Sequence, residues 1–266
     1  MVLSTLSVAS RILDSEQEKR IAQQLANFLL NELISQDGLM RSWRKGSARY
    51  TAYLEDHAAL GLVLLELYQV DFDPRWYQAA VDQREEILDH FTDSNGGFFD
   101  TRNDHEKLIA HLKILQDSPT PSGNTLAVSL LLRLAALTGE ARYVNPAERA
   151  VRAMQENARC HPTAFAGWLC EIDIALGPEL QLALMGTWEM EGFYPLKKVA
   201  HYHYLPRMVI AGGMPDRSPK PSLLENRVLI DGRPTAYLCE GFTCKLPTTS
   251  AETLDHQLKD IFRTSL

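Results

Sequence analysis

Hydrophobic residues in the first two thirds of the chain are spaced as in paired amphipathic helices. In residues 21–33 and 60–67, apolar side chains recur three or four positions apart, which is the period of one helical face. Pro74 suits the first turn of a helix, where its missing N–H costs nothing. The spacing predicts helices near residues 1–13, 15–35, 55–71, 74–92, 122–138, 140–158 and 162–176.

A short acidic turn followed by an aromatic residue marks a repeat of roughly 60 residues. It lies at residues 71–76 and again at 138–143, with a weaker copy at 14–19. Each unit is a helix, a tight turn, a second helix and a longer loop. Such hairpins stack into an open solenoid or a closed double ring of helices. The alternation of short and long loops favours the closed ring, with long loops at one end over a central cavity.

Two long polar loops, residues 38–57 and 96–124, each lead into an apolar helix and are predicted to emerge at the same end. Their glycine-containing starts, residues 38–44 and 96–101, are typical of short strands or hairpins. We therefore expect function at this end.

The pattern changes after Gly177-Pro178, where alternating apolar residues replace the helical period. Strands are predicted at 180–185 and 207–211, and strand or hairpin at 235–239 and 242–244, with a loop at 212–222. A final helix is predicted from 250 to 262, capped by Ser250. The sequence thus predicts a helical part at 1–177 and a small α/β appendage at 178–266.

Composition excludes several classes of protein. The 266 residues carry 27 basic and 34 acidic side chains, a net charge of -7 without a basic stripe, so nucleic-acid binding is not expected. No apolar run reaches the ~18 residues of a membrane helix. Residues 1–13 lack the leading positive charge of a signal peptide, so the chain is expected to begin inside a helix.

The four cysteines are too few for a disulfide scaffold and predict reduced thiols in a cytoplasmic protein. Cys239 and Cys244 could instead form a redox pair or half of a metal site. No second Cys/His pair of suitable spacing completes a zinc site. We therefore expect neither a metal nor a cofactor.

Several segments together carry a family resemblance that covers nearly the whole chain in order. They are residues 41–44, 53–58, 65–76, 96–101, 119–124, and the tail segments 232–239 and 242–244. The chain resembles the C-terminal part of the thioredoxin-domain-containing YyaL-like proteins, related to spermatogenesis-associated protein 20. The resemblance implies an (α/α)6 toroid similar to N-acylglucosamine 2-epimerases and six-hairpin glycosidases.

The chain departs from the family pattern in one large respect. It lacks the thioredoxin-like part and the first hairpins, and seven helices are predicted where a complete toroid has twelve. The expected fold class is therefore mainly α, a partial (α/α)6 toroid with the α/β appendage. A partial ring leaves apolar flanks exposed. We expect a fragment of a longer or split protein, or a complementary chain that covers the gap; a homodimer that completes its own ring is the alternative.

Asp56 and His57 form the first candidate site, at the first turn of a predicted helix. They could act as a general acid/base pair facing the cavity. Helix capping is the structural alternative, because carboxylates complement the positive end of the helix dipole.

Asp117, Ser122 and Asn124 form the second candidate site, in a loop stiffened by two prolines. Free N–H groups at a helix start could hold hydroxyl groups, and Asp117 with Asn124 would bind a sugar or polyol. A capped turn with local hydrogen bonds is the alternative.

Arg41, Trp43, Arg44 and Tyr53 provide planar donors and aromatic faces of the kind that stack on sugar rings. Trp43 packed under its own loop is the alternative. The leading hypothesis is a carbohydrate-active or carbohydrate-binding toroid segment, epimerase-like or glycosidase-like. Its carboxylates would be Asp56 and Asp117, with His57 as an auxiliary proton carrier. The competing hypothesis is a non-catalytic scaffold or regulatory module, or an inactive truncated fragment.

Overall fold

Seven helices in the first part of the chain match the seven predicted from hydrophobic spacing. The computed structural model describes residues 1–104, 110–214, 216–241 and 243–264. Residues 262–264 are described as backbone alone. A single 3₁₀ turn, Pro162–Ala164, precedes the seventh helix. The helices are α1 (Val2–Leu13), α2 (Glu16–Glu32), α3 (Leu54–Asp71), α4 (Pro74–His90), α5 (Gly123–Thr138), α6 (Ala141–Cys160) and α7 (Ala166–Leu176).

The predicted repeat corresponds to three tight turns between paired helices. Each turn has one residue in the left-handed conformation: Asp14 (φ 53°), Phe72 (φ 56°) and Gly139 (φ 71°). A left-handed residue ends a helix by supplying N–H groups to its last carbonyls. The aromatic residue that follows is buried in both strong copies, Trp76 at 1% exposure and Tyr143 at 0%. The repeat is therefore a structural device that joins α1 to α2, α3 to α4 and α5 to α6.

The helices form an inner and an outer set. Inner helices α3 and α5 are buried on most of their surface, whereas α4 and α6 bury one face each. The two inner helices approach closely at Gly61, where an added Cβ would lie 2.5 Å from Leu130 Cδ2. A glycine at this point lets the two backbones pack against each other.

The first long loop contains a three-stranded antiparallel sheet. Strands β1 (Ile34–Ser35), β2 (Gly38–Arg44) and β3 (Ser47–Thr51) are consecutive, with Trp43 opposite Ala48. The predicted hairpin at residues 38–44 is confirmed.

The second loop, where a short strand or hairpin was expected at residues 96–101, has no regular strand among its described residues. It has one isolated bridge, Thr92 to Phe98, around a turn in which Asp93 N–H donates to the Gly97 carbonyl at 3.0 Å. The side chain of Asn124 bonds both the N–H and the carbonyl of Phe98. These groups of Phe98 take no part in the bridge to Thr92, so Asn124 occupies the position that a further strand would have taken on the other side.

The last third of the chain is a mixed sheet with two helices. Its order is β5-β4-β6-β7; β4 runs parallel to β5, and the other neighbours are antiparallel. The 3₁₀ turn Ser222–Leu224 follows β5. The elements are β4 (Leu180–Met185), α8 (Phe193–Tyr202), β5 (Met208–Gly213), β6 (Thr235–Glu240), β7 (Thr243–Cys244) and α9 (Ala251–Thr264).

Helix α8 is absent from the sequence prediction, and it makes the crossover between the two parallel strands. The predicted cap of the last helix is confirmed, since Ser250 Oγ accepts the Thr253 N–H at 3.2 Å. Phe242, part of a predicted strand, lies outside the described residues.

The expectation of reduced thiols is wrong for one pair of cysteines. Cys239 and Cys244 face each other across β6 and β7 and form a disulfide, while Cys160 and Cys170 are free and exposed. The hairpin register brings the first pair together, which sequence separation alone did not establish.

The sheet packs directly on the inner helices. Gln181 of β4 donates to the Ala136 carbonyl of α5 at 2.7 Å. The Phe72 ring lies so close to Gly212 that an added Cβ would be 2.5 Å away. One continuous apolar core therefore runs from the helices into the sheet. Within the described residues, no helix is long and apolar enough to span a membrane.

Candidate functional site

The two long loops meet at the end of the helical array where α3, α5 and α7 begin. Leu54 N–H donates to the Asp100 carbonyl at 3.0 Å. Gly123 packs on the backbone of Glu55, since an added Cβ would lie 3.1 Å from its nitrogen. Three helix starts, each with a positive dipole end, thus lie close together.

Asp56 caps the start of α3 and pairs with a cation. Its Oδ2 accepts the Tyr53 N–H at 2.9 Å and is 3.0 Å from Arg41 Nη1. Burial raises the pKa of Asp56, while the Tyr53 N–H and Arg41 oppose that rise. The capping alternative is therefore present in the structure, together with a carboxyl that retains its proton more readily than usual.

His57 lies inside the interface between α3 and α4 and not on the loop surface. It is 1% exposed, and its Nδ1 is 2.9 Å from Gln83 Oε1 on α4. Its ring also packs against Phe91 at 5.3 Å. Burial lowers the pKa of His57, which keeps the ring neutral at pH 7. Its role as an auxiliary proton carrier remains a prediction that requires the ring to become accessible.

Asp117 holds its own loop together. Its Oδ1 accepts the Ser122 N–H at 2.9 Å and the Thr125 hydroxyl at 3.0 Å, while Oδ2 accepts the Gly167 N–H at 2.8 Å. Ser122 caps α5 by accepting the Thr125 N–H at 3.2 Å. Asp117 thereby ties the start of α5 to the start of α7, and both of its oxygens are engaged.

Asn124 is fully buried and binds the backbone of the second loop. Its Oδ1 accepts the Phe98 N–H at 2.8 Å, and its Nδ2 donates to the carbonyls of Phe98 at 2.8 Å and Ile114 at 3.2 Å. Every hydrogen-bonding direction but one is used within the protein. The side chain therefore shapes the loop from inside.

Arg41 is the centre of the exposed part of this end. Its guanidinium is 2.6 Å from Glu55 Oε1 and 3.0 Å from Asp56 Oδ2, and lies 4.6 Å from the centroid of the Tyr53 ring. Two carboxylates thus fix the orientation of the planar guanidinium group, which also stacks on an aromatic ring.

Trp43 packs against α2, the helix before its hairpin, where the structural alternative had it under its own loop. It is 40% exposed, its Nε1 donates to Glu32 at 3.1 Å, and its ring meets Phe28 edge-on. Arg44 is exposed at the end of β2, and strand alternation places it on the face opposite Trp43. Arg41 and Tyr53 therefore contact the start of α3, whereas Trp43 contacts α2.

Two carboxyl groups at this end were not selected from the sequence: Glu55 and Asp100. Asp100 accepts the Ile114 N–H at 3.0 Å. Burial raises the pKa of Asp100, and the negative charge of Glu55 raises it further. We refer to Arg41, Tyr53, Glu55, Asp56 and Asp100 as the rim cluster. Asp100 is the last residue of the sequence motif Gly-Gly-Phe-Phe-Asp. This motif could have identified Asp100 as a candidate site residue.

The rim cluster combines groups suited to hydroxyl-rich ligands. Carboxyl groups of raised pKa can donate as well as accept a proton, the guanidinium donates in a fixed plane, and the tyrosine ring offers an apolar face. No group of three or more histidine, cysteine or acidic side chains is arranged to hold a metal ion in the part of the chain that is described.

Comparison with known proteins gives relatives but no matching family model. Spermatogenesis-associated protein 20 of Rattus norvegicus is 26% identical over 94% of this chain, and that of Homo sapiens is 24% identical over 94%. An uncharacterised protein of Caenorhabditis elegans is 21% identical over 79%. The chain spans about a third of the mammalian relatives, 34% of each. It is thus similar along nearly its whole length to part of spermatogenesis-associated protein 20, which confirms the resemblance drawn from its motifs.

Proposed function

We propose that the rim cluster is part of a binding site for a polyhydroxylated small molecule, a sugar or a polyol. The observation that carries the proposal is that Arg41 is stacked on Tyr53 and paired with Glu55 and with Asp56, whose pKa is raised. The charge of Glu55 also acts on Asp100, a second carboxyl group of raised pKa, whose backbone carbonyl accepts the Leu54 N–H at the start of the same helix. Sugar rings are bound by such combinations of bidentate polar groups and aromatic faces.

The proposed setting is the open end of a partial α/α toroid. Support comes from the inner and outer helices, from the three tight turns at one end, and from the long loops at the other. In such an array the positive dipole ends of the helix starts face the mouth, where they favour hydroxyl and anionic oxygens.

The proposed chemistry is epimerase-like or glycosidase-like. Asp117 has both oxygens engaged within its loop, so we propose Asp100 as the second carboxyl group beside Asp56. One protonated and one ionised carboxyl group can act as general acid and general base on a sugar. Burial and the charge of Glu55 favour the protonated form of Asp100, which suits the acid role.

A second candidate function is supported by a separate observation. His57, Asp117, Ser122 and Asn124 each form hydrogen bonds that fix helices or loops. This arrangement also suits a non-catalytic scaffold or regulatory module that associates with a complementary chain. A cytoplasmic location belongs to the same proposal. The Cys239–Cys244 disulfide argues against that location, because reducing compartments disfavour such bonds.

A ligand-dependent thermal shift separates the two functions. The purified chain is heated with a panel of neutral sugars and polyols at millimolar concentration, as wild type, as Asp100→Asn and as Arg41→Gln. A ligand at about tenfold its Kd should raise the melting temperature of the wild type by about 2 °C. Both variants should lose this shift.

The matched control is Asp231→Asn, in an exposed turn of the C-terminal part where the side chain is 78% exposed. It should retain the wild-type shift. Absence of a shift with every sugar, or equal shifts in all variants, contradicts carbohydrate binding and leaves the scaffold. Light scattering of the unliganded chain then tests whether it self-associates.

A further inference from the structure

The two cysteines of the disulfide differ in their access to solvent. Cys239 lies on β6, an inner strand of the sheet, and is 2% exposed. Cys244 lies on the short edge strand β7 and is exposed, as are its neighbours Thr243 and Lys245. A disulfide opens when a thiolate attacks one of its sulfur atoms, so the reaction depends on which sulfur the thiolate can reach. This difference in exposure favours attack at Cys244 Sγ.

A guanidinium group contacts the buried sulfur. Arg227 Nη2 donates to Cys239 Sγ at 3.6 Å. Burial lowers the pKa of Arg227, but a guanidinium keeps its positive charge at neutral pH. When a disulfide opens, the sulfur that is not attacked leaves as a thiolate, and an adjacent arginine stabilises a thiolate. Cys239 is therefore placed as the leaving group, and Cys244 as the sulfur that is attacked.

Arg227 is fixed over one face of β6. Its Nη1 donates to the Leu223 carbonyl in the preceding 3₁₀ turn, and its Cζ lies 5.7 Å from the centroid of the Tyr237 ring. Tyr237 and Cys239 are two positions apart on β6, so they share a face of the strand. The Tyr237 hydroxyl donates to the Val228 carbonyl at 2.8 Å, which attaches the segment that carries Arg227 to the strand. The fold thus holds the guanidinium at the sulfur.

Hydrogen bonds other than the disulfide hold the two cysteines near each other. Strand β6 pairs with β4 along all of its length, from Thr235 to Glu240. The Lys245 N–H donates to the Leu238 carbonyl at 2.8 Å, and Ala236 and Thr248 exchange two backbone hydrogen bonds of 2.8 and 3.0 Å. Opening the disulfide therefore leaves both sulfur atoms in place, so that the bond can close again.

We propose that Cys239 and Cys244 form a thiol–disulfide exchange site that reacts reversibly with external thiols, with Arg227 as the group that stabilises the leaving thiolate. The site lies at the β6–β7 edge of the sheet and shares no residue with the rim cluster. A pair that opens and closes with the surrounding thiols is the kind of disulfide that occurs in reducing compartments, where such bonds are transient and catalytic or redox-sensing.

The reaction has two steps. In the first, an external thiolate attacks Cys244 Sγ and forms a mixed disulfide with it. The Cys239–Cys244 bond breaks, and its electron pair stays on Cys239 Sγ beside Arg227. In the second, another thiolate attacks the external sulfur of the mixed disulfide and releases Cys244. Overall, two external thiols become one disulfide; their two electrons and one of their protons reduce the pair to a Cys244 thiol and a Cys239 thiolate, and the other proton goes to solvent.

The test measures how fast excess glutathione opens the disulfide, by acid quenching and mass spectrometry. The two free cysteines, Cys160 and Cys170, are replaced by serine throughout. Arg227→Gln should slow the opening by about three- to tenfold, because the leaving thiolate loses its stabilising charge. Arg227→Lys, which keeps the charge, should retain most of the wild-type rate. A purely structural role of Arg227 predicts the opposite sign, since a loosened hairpin would open faster.

Arg233→Gln is the matched control, because Arg233 lies in the same part of the chain, is 62% exposed and is paired with Asp231. It should open at the wild-type rate. Asp100→Asn of the rim cluster should do so too, which makes this test independent of the proposed sugar site. Circular dichroism confirms that each variant is folded.

Trapping of the mixed disulfide tests the same proposal on the wild-type pair, without any change at Arg227. In samples quenched early, peptide mapping should find the glutathione on Cys244. Oxidised glutathione should then close the Cys239–Cys244 bond again in the folded protein. Glutathione found mainly on Cys239, a pair that does not close again, or an unchanged or faster opening of Arg227→Gln overturns the proposal.

Discussion

Replacing Lys197 with methionine tests whether the ammonium is buried at a cost. Methionine retains an unbranched apolar side chain and removes only the charged end. The pKa of about 8, against the ordinary 10.5, corresponds to about 3 kcal/mol of unfavourable free energy in the folded state. Since replacement of buried charges by apolar groups is often neutral or stabilising, we expect Lys197→Met to be more stable than the wild type near neutral pH by about 1–3 kcal/mol.

The charges around Lys197 set the direction of the pH dependence. Burial and Lys19 lower the pKa of Lys197, and Asp14, Glu16 and Asp71 partly raise it. Below a pH of about 8 the folded protein bears the full cost of the ammonium. Between about 8 and 10.5 the unfolded chain holds a proton that the folded chain has lost, so wild-type stability rises with pH. The advantage of Lys197→Met should therefore shrink across this interval.

The assay is urea denaturation followed by circular dichroism, near pH 7 and near pH 10. The variants are Lys197→Met and, as control, Lys198→Met, whose stability relative to the wild type should be nearly independent of pH. If Lys197→Met were less stable than the wild type by the same amount at both pH values, burial of the ammonium could not carry a net cost in the folded protein.

Three further predictions concern the loops, the helix contact and the disulfide. Asn124→Ala should lower the free energy of unfolding by about 3 kcal/mol, because two buried backbone groups of Phe98 and the Ile114 carbonyl lose their partner; a loss well under 1 kcal/mol in urea denaturation contradicts this. Gly61→Ala should lower it by about 1–3 kcal/mol in thermal denaturation, since the added methyl meets Leu130; a stabilised variant would show that the inner helices can separate freely. Cys239→Ser should cost about 2 kcal/mol, and a thiol reductant should then destabilise the wild type but not the variant; equal sensitivity of both refutes the Cys239–Cys244 bond.

The helices were predictable because their apolar spacing is local information. In α3 and α5 nearly continuous apolar residues predict burial, and the turns at Phe72 and Gly139 carry their own signal. Helix α8 was not predictable in the same way. It is short, begins with Phe-Tyr-Pro, and follows a strand whose parallel partner lies beyond it. Its conformation depends on the crossover between β4 and β5, which no local pattern displays.

The meeting of the two long loops was predictable, but the contacts of their side chains were less so. The sequence indicated that the long loops meet at one end, and the contact of Gly123 with Glu55 agrees with that expectation. The sequence could not indicate that Phe98 would present its backbone to Asn124, or that Asp117 would reach Gly167. These bonds join residues 26 and 50 positions apart, so they depend on the folded loop. The motif that ends at Asp100 is visible in the sequence, but its raised pKa is not, because that depends on burial and on Glu55.

The close packing of Phe72 on Gly212 has a consequence for how the chain loses its structure. Phe72 ends α3, and Gly212 belongs to β5, far along the sequence. The hydroxyl of Tyr68 also lies 3.4 Å from the Gly212 carbonyl. Separating the sheet from the helices would expose these aromatic rings to water, and each is buried to more than nine tenths. The helical and α/β parts should therefore unfold in one cooperative transition, and a protein cut at Gly177 should not retain the stability of either part.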